Sequence, residues 1–225
     1  MQKPAAYEQD IKVALIRHTK SGGSGDGLIV SELPLMNFST RVDLALIASS
    51  KLVAFEVKSA RDSLTRLRRQ ADALENCFDE VNVVLEPKHL QGALSILPTA
   101  LGVWTWSGQG FSIIRKARNK NPKKKSIVKL LPKNILVNLL AANPSTPRKV
   151  LENQAEKLTL SCLRARLFEH WSNRYSISSN RIFAAIAERK LTAEVIQTSY
   201  DQKLKRLRFE QWEREVVASW QAFMP

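Results

Sequence analysis

Two apolar runs joined by a two-residue connection limit how this chain folds more than any other stretch. They are RVDLALIAS (41–49) and KLVAFEVKS (51–59), with Ser49 and Ser50 as the central residues of a tight turn. Such a turn makes an antiparallel hairpin and fixes its register. That register sets Asp43 opposite Glu56 and Arg41 opposite Lys58. Glu56 and Lys58, two apart, share one face of their strand, while Phe55 and Val57 point the other way. A carboxylate inside an apolar strand is costly unless it is paired or bound to a cation. Asp43 and Glu56 therefore need a partner, and the short strand LIVSEL (28–33) places Glu32 within reach of the same side.

Around this hairpin the pattern reads as mixed α/β. Residues 5–19 carry an apolar face at helical spacing through Ala6, Ile11, Ala14 and Leu15. SGGSGDG (21–27) is a flexible connection, with no Gly-Lys-Ser/Thr after its glycines to make a phosphate loop. Residues 60–78 form a helix with Leu64, Leu67, Ala71, Leu74 and Phe78 as its stripe and Gln70 beside it. EVNVVLEP (80–87), LGVWTWS (101–107) and FSIIRKA (111–117) are further strands, with a short helix or turn over 88–97. Trp104 and Trp106 share a face, which suits core packing and also base stacking.

Charge changes the picture after residue 115. The chain has a net charge of +14, and Arg115 to Lys133 holds nine basic residues and no acidic one. A field of this sign attracts polyanions. Beyond Pro132 the sequence is helical almost throughout: NILVNLLAAN, then 148–172, 180–197 with Asn180 as its cap, and 202–223. The expected division is an α/β domain over 1–117, a basic linker or arm over 118–133 and a helical region over 134–225.

Several chemistries are excluded. Cys77 and Cys162 belong to no CxxC pair, His18, His89 and His170 are scattered, and neither GxSxG nor HExxH occurs. No apolar run reaches the roughly 20 residues of a membrane helix, and the N-terminus lacks a signal peptide's apolar stretch. A cytoplasmic protein without a membrane partner is the expectation.

Three carboxylates and a lysine on one sheet face fit either a structural salt-bridge cluster or a hard-cation site with oxygen ligands. In the second case Mg²⁺ or Mn²⁺ sits on Asp43 and Glu56 with the Val57 carbonyl as third ligand, Glu32 completes the shell, and Lys58 orients or deprotonates a metal-bound water.

The stretch SELPLMNFSTRVDLALIASSKLVAFEVKSARDSLTRLRRQ resembles the PD-(D/E)xK nuclease superfamily. The metal aspartate of that pattern falls on Asp43, its E-x-K element on Glu56-Val57-Lys58, its upstream glutamate on Glu32 and its helix glutamine on Gln70. Val42 stands where the family pattern has proline. The resemblance implies a restriction-endonuclease-like core (helix, three-stranded meander, helix, strand) followed by a mostly helical C-terminal region. It also implies a metal-dependent DNA hydrolase, an endonuclease by preference. Arg61, Arg66, Arg118, Lys120, Lys123, Lys124 and Lys125 are the expected contacts to DNA phosphates. The competing expectation is a catalytically dormant or partner-dependent DNA-binding accessory subunit. Protein partners or self-association are expected through the helical C-terminal region.

Overall fold

The computed structural model describes residues 7–21, 27–35 and 40–197. The SGGSGDG connection, apart from Ser21 and Gly27, and the helix expected over 202–223 lie outside these residues, as do Trp212 and Trp220. One mixed sheet of six strands organises the rest, in the order β1-β2-β3-β4-β5-β6. The strands are β1 (Leu28–Leu35), β2 (Thr40–Ile47), β3 (Leu52–Lys58), β4 (Glu80–Leu85), β5 (Gly102–Trp106) and β6 (Phe111–Arg115). The first three form an antiparallel meander, β3, β4 and β5 run parallel, and β6 turns back antiparallel.

The hairpin register follows from its turn. Leu44 faces Phe55 and Ile47 faces Leu52, and Ala48 and Lys51 exchange backbone hydrogen bonds of 2.9 and 3.3 Å around Ser49-Ser50. The ladder stops at Leu44 and Phe55. Arg41 therefore pairs with Pro34 and Lys58 with Leu85, so the expected Arg41–Lys58 opposition does not form.

Helices cover both faces. On one lie α1 (Glu8–Ser21) and the end of α7 (Leu160–Ala187), burying Ile11, Leu15, Leu44, Phe55, Val57 and Ile182 together. On the other lie α2 (Leu67–Glu75), α3 (Leu90–Ile96), α4 (Lys124–Leu130), α5 (Lys133–Leu140), α6 (Arg148–Ala155) and most of α7. That second core is continuous across residue 117: Val42, Ala54 and Val83 of the sheet share it with Ile127, Leu151, Leu163 and Trp171.

α7 is one helix through the expected cap at Asn180. Its stripe of Leu163, Leu167, Trp171, Tyr175, Ser179 and Ile182 is buried without interruption. Thr159 caps its start by accepting the Cys162 N–H. The helix also shields the sheet edge, since the Ile29 N–H donates to Ser179 Oγ at 2.9 Å. α2 begins at Leu67 instead of residue 60, because the Asp62 carboxylate takes both the N–H and the hydroxyl of Ser59 and holds a turn there.

Candidate functional site

Glu32 and Asp43 sit where two neighbouring strands lose their alternation together. Val30 and Leu33, three apart, join the same core cluster, and so do Val42 and Ala45. Glu32 is the residue that absorbs the slip, at φ 55. A non-glycine residue in the left-handed region carries strain. The slip turns Glu32 and Asp43 toward α1, where Glu8 joins them, and oxygens of Glu8, Glu32 and Asp43 lie within 4.8 Å of one another.

A cation from the chain itself already serves that acidic group. Lys12, on the buried side of α1, has no exposed surface; its ammonium pairs with Glu8 at 2.5 Å and also with Glu32. Burial opposes its charge, but Asp43, Glu32 and Glu8 together outweigh burial and raise its pKa. Arg41 stands 3.9 Å from Glu32 on the outer side. Asp43 accepts the Val57 N–H on Oδ2 at 2.7 Å. Its carboxyl is nevertheless pushed well above the ordinary range, chiefly by burial and then by Glu56. Glu56 is fully buried and bound to Lys58 at 2.7 Å. Burial raises the Glu56 pKa against the pull of Lys58, and Lys58 is itself raised by Glu56 despite its own burial.

The expected residues are thus brought together around two lysines of the chain: Lys12 pairs with Glu8 and Glu32, Lys58 pairs with Glu56 through Oε1, and Glu56 Oε2 is buried without a hydrogen-bond partner. Asp43, Glu56, Lys58 and Glu32 are neighbours. Val57 contributes an N–H to Asp43. Gln70 lines a recess of about 470 Å³ with Thr40, Arg66, Arg69 and Arg41, the arginine beside Glu32. Lys12 and Glu8 were missed in the sequence. Their one local signal is a lysine flanked by Ile11, Leu15 and Ile16 on a buried helix face, with a glutamate one turn before it.

The basic residues form a second arrangement. The run after β6 is pinned to the domain by its backbone: Arg118, Lys120 and Lys123 donate N–H bonds to the carbonyls of Ala100, Asp79 and Asn76 at 2.8, 3.0 and 3.0 Å. Their side chains stay exposed, as do those of Lys116, Lys124 and Lys125, and Lys120 pairs with Glu75. Arg61 lies 4.2 Å above the Tyr7 ring. Trp104 and Trp106 pack against Phe55, Phe111 and His18.

Fold and site together define an α/β protein whose buried carboxylates are served by its own lysines and whose exposed charge is basic. The chain belongs to the family described as bacteriophage P4 protein cII, whose profile matches residues 1–199. It is similar to "Protein cII" of Enterobacteria phage P4, with 34% identity over 184 residues, covering 77% of this chain and 69% of that protein. A protein of unknown function from Silicibacter pomeroyi aligns with 56% of this chain and 84% of its own length at 17% identity and a TM-score of 0.41, too distant to carry an argument.

This membership corrects the PD-(D/E)xK resemblance. The assignments to a restriction-endonuclease-like fold family, to an endonuclease and to an enzyme are overturned by the match to the cII family. So is the Mg²⁺ or Mn²⁺ requirement. The physical reason the motif misleads is that Asp43, Glu56 and Lys58 also suit a salt-bridge cluster, in which Lys12 pairs with Glu8 and Glu32 and Lys58 with Glu56. Among the described residues no helix is long and apolar enough to cross a membrane.

Proposed function

We propose that this chain is a DNA-binding protein that contacts the phosphate backbone through its pinned basic segment and does no chemistry on it. The observation that carries the reading is the exposed row Lys116, Arg118, Lys120, Lys123, Lys124 and Lys125 on a backbone anchored at three points. Anchoring matters because a held row of cations loses less conformational entropy on binding than a loose arm. Arg41, Arg66 and Arg69 around their recess supply a second basic patch with no acidic residue in its lining. Arginine suits phosphate there because its planar fork donates two hydrogen bonds at once. A DNA-binding role fits a cytoplasmic setting, and self-association or a protein partner through the C-terminal region belongs to the same reading.

The test is duplex-DNA affinity measured by fluorescence anisotropy over a range of salt. Counterion release makes the logarithm of the binding constant fall linearly with the logarithm of salt. Lys123→Ala and Lys124→Ala are each expected to weaken binding regardless of DNA sequence and to reduce the salt slope by about 1. Plasmid incubated with the protein and Mg²⁺ or Mn²⁺ stays intact. Salt-independent binding, or full affinity in both variants, removes the reading.

A further inference from the structure

A separate recess of about 340 Å³ opens between the end of β1, the corner joining α4 to α5, and the middle of α7. Four cations line it, Lys129, Lys133, Arg148 and Arg174, and no carboxylate does. Arg148 is already committed. Its Nε donates to Glu152 at 2.8 Å, and its Nη2 donates to the carbonyls of Lys129 and Leu131 at 3.1 Å each, which holds the corner in shape. Lys129 and Lys133 have no acidic partner among the described residues, and both are exposed toward solvent. Arg174 hydrogen-bonds the Tyr175 side chain, with its guanidinium carbon 5.9 Å from the ring centroid, and has no acidic partner among the described residues. That leaves three positive groups around one concavity with nothing acidic facing them.

The rest of the wall narrows the chemistry. Trp171 and Tyr175 are almost fully buried and form a rigid aromatic floor. His170 sits beside them, and burial together with Arg174 lowers its pKa, so near neutral pH the ring is uncharged. A neutral imidazole offers one donor and one acceptor. Cations at the rim, a neutral donor-acceptor group and an apolar floor are the features of a small-ligand cavity. A duplex surface is convex and continuous, and suits an exposed row of cations better than a recess.

We propose that this recess binds a free, mononucleotide-sized phosphate compound, with Lys129, Lys133 and Arg174 on the phosphate. The site is distinct from the pinned segment proposed to hold DNA. Isothermal titration of the full chain with inorganic phosphate, AMP and ATP tests it, with a short duplex titrated in parallel. A nucleotide is expected to bind one-to-one and more tightly than inorganic phosphate. Lys129→Gln combined with Lys133→Gln is expected to weaken nucleotide binding about tenfold or more, the loss of roughly 1.4 kcal/mol. Duplex affinity stays near the wild-type value in that variant. Lys124→Gln combined with Lys125→Gln is expected to do the reverse. Both pairs are exposed, so a thermal melt matching wild type shows that each variant folds. Three results overturn the proposal: no binding of any of the three compounds, equal loss of nucleotide in both double variants, or loss of duplex binding alone when Lys129 and Lys133 are changed. A failure of DNA binding with intact nucleotide binding sinks the proposed function and leaves this site standing.

Discussion

Lys12 is held without solvent because two carboxylates contact its ammonium and a third, Asp43, acts on it electrostatically from nearby. Glu8 comes from its own helix, Glu32 from β1 and Asp43 from β2. Removing one partner from a buried ion cluster leaves the others uncompensated, which costs about 3–5 kcal/mol. Lys12→Met is therefore expected to lose stability of that order in urea unfolding, and an unchanged midpoint and slope refutes the account. Asp43 gives a pH-dependent version of the test. Its folded pKa lies well above its unfolded value, so its stabilising contribution is complete below the unfolded value and is lost as pH rises through the folded one. Asp43→Asn keeps a carbonyl oxygen for the Val57 N–H and removes the titration. Its stability relative to wild type is expected to improve from about pH 4 upward. A flat difference between the two proteins from acid to neutral pH excludes the raised carboxyl. These residues also show how far the site was legible. Asp43 and Glu56 announced themselves as charges inside apolar strands, but the expected opposition of the two is not part of the ladder, which ends at Leu44 and Phe55, and Asp43 instead accepts the Val57 N–H. Lys12 stayed hidden because two of its partners are 20 and 31 positions away in sequence, and no spacing rule connects a helix to strands it has yet to meet.

At the scale of elements, what was legible is what local geometry decides. The β2–β3 register followed from two serines. The start of α2 did not, because the Asp62 carboxylate diverts the Ser59 N–H and hydroxyl into a turn, and apolar spacing alone reads through it. Asn180 misled for the converse reason: a good capping residue is ignored where a stripe from Leu163 to Ile182 has a sheet to cover. Beside its apolar stripe, α7 is attached by an ion pair that no periodicity reveals. Arg164 reaches across to Asp79 with bonds of 2.6 and 2.7 Å and also donates to the Ser50 carbonyl at the hairpin turn, while Asp79 receives the Leu52 N–H at 2.7 Å. Both charged partners are nearly buried. Arg164→Ala leaves a buried carboxylate with one backbone donor, and its expected cost is again about 3–5 kcal/mol. Hydrogen exchange separates this from general loosening: amides in the first half of α7 and around Ser50 should lose protection before those of β4. Uniform loss of protection across the sheet places the effect elsewhere.

For the whole molecule the question is whether its charge acts as a diffuse field or at chosen places. A net charge of +14 draws any polyanion inward at long range. Yet five helices, α2 to α6, lack an acidic residue in the first turn and a side-chain cap. Four of these, α2, α4, α5 and α6, begin with cations: Arg66, Lys124, Lys133 and Arg148. Cations at a helix start oppose the macrodipole by about 0.3–1 kcal/mol each, a local conflict of the kind folded proteins tolerate where function needs it. A bound anion relieves both the cation and the unpaired helix N–H groups. The localised reading makes a prediction that the diffuse one does not. Lys124→Glu with Lys125→Glu, and Lys88→Glu with Lys190→Glu, lower the net charge equally. If the field alone mattered, both pairs would reduce DNA affinity and its salt slope alike. If the pinned segment is the phosphate contact, the first pair removes most of the affinity, and the second slows association at low salt while leaving the slope near wild type. Stopped-flow association rates and equilibrium titrations on the same duplex separate the two, and equal effects from both pairs return the molecule to a generic basic surface.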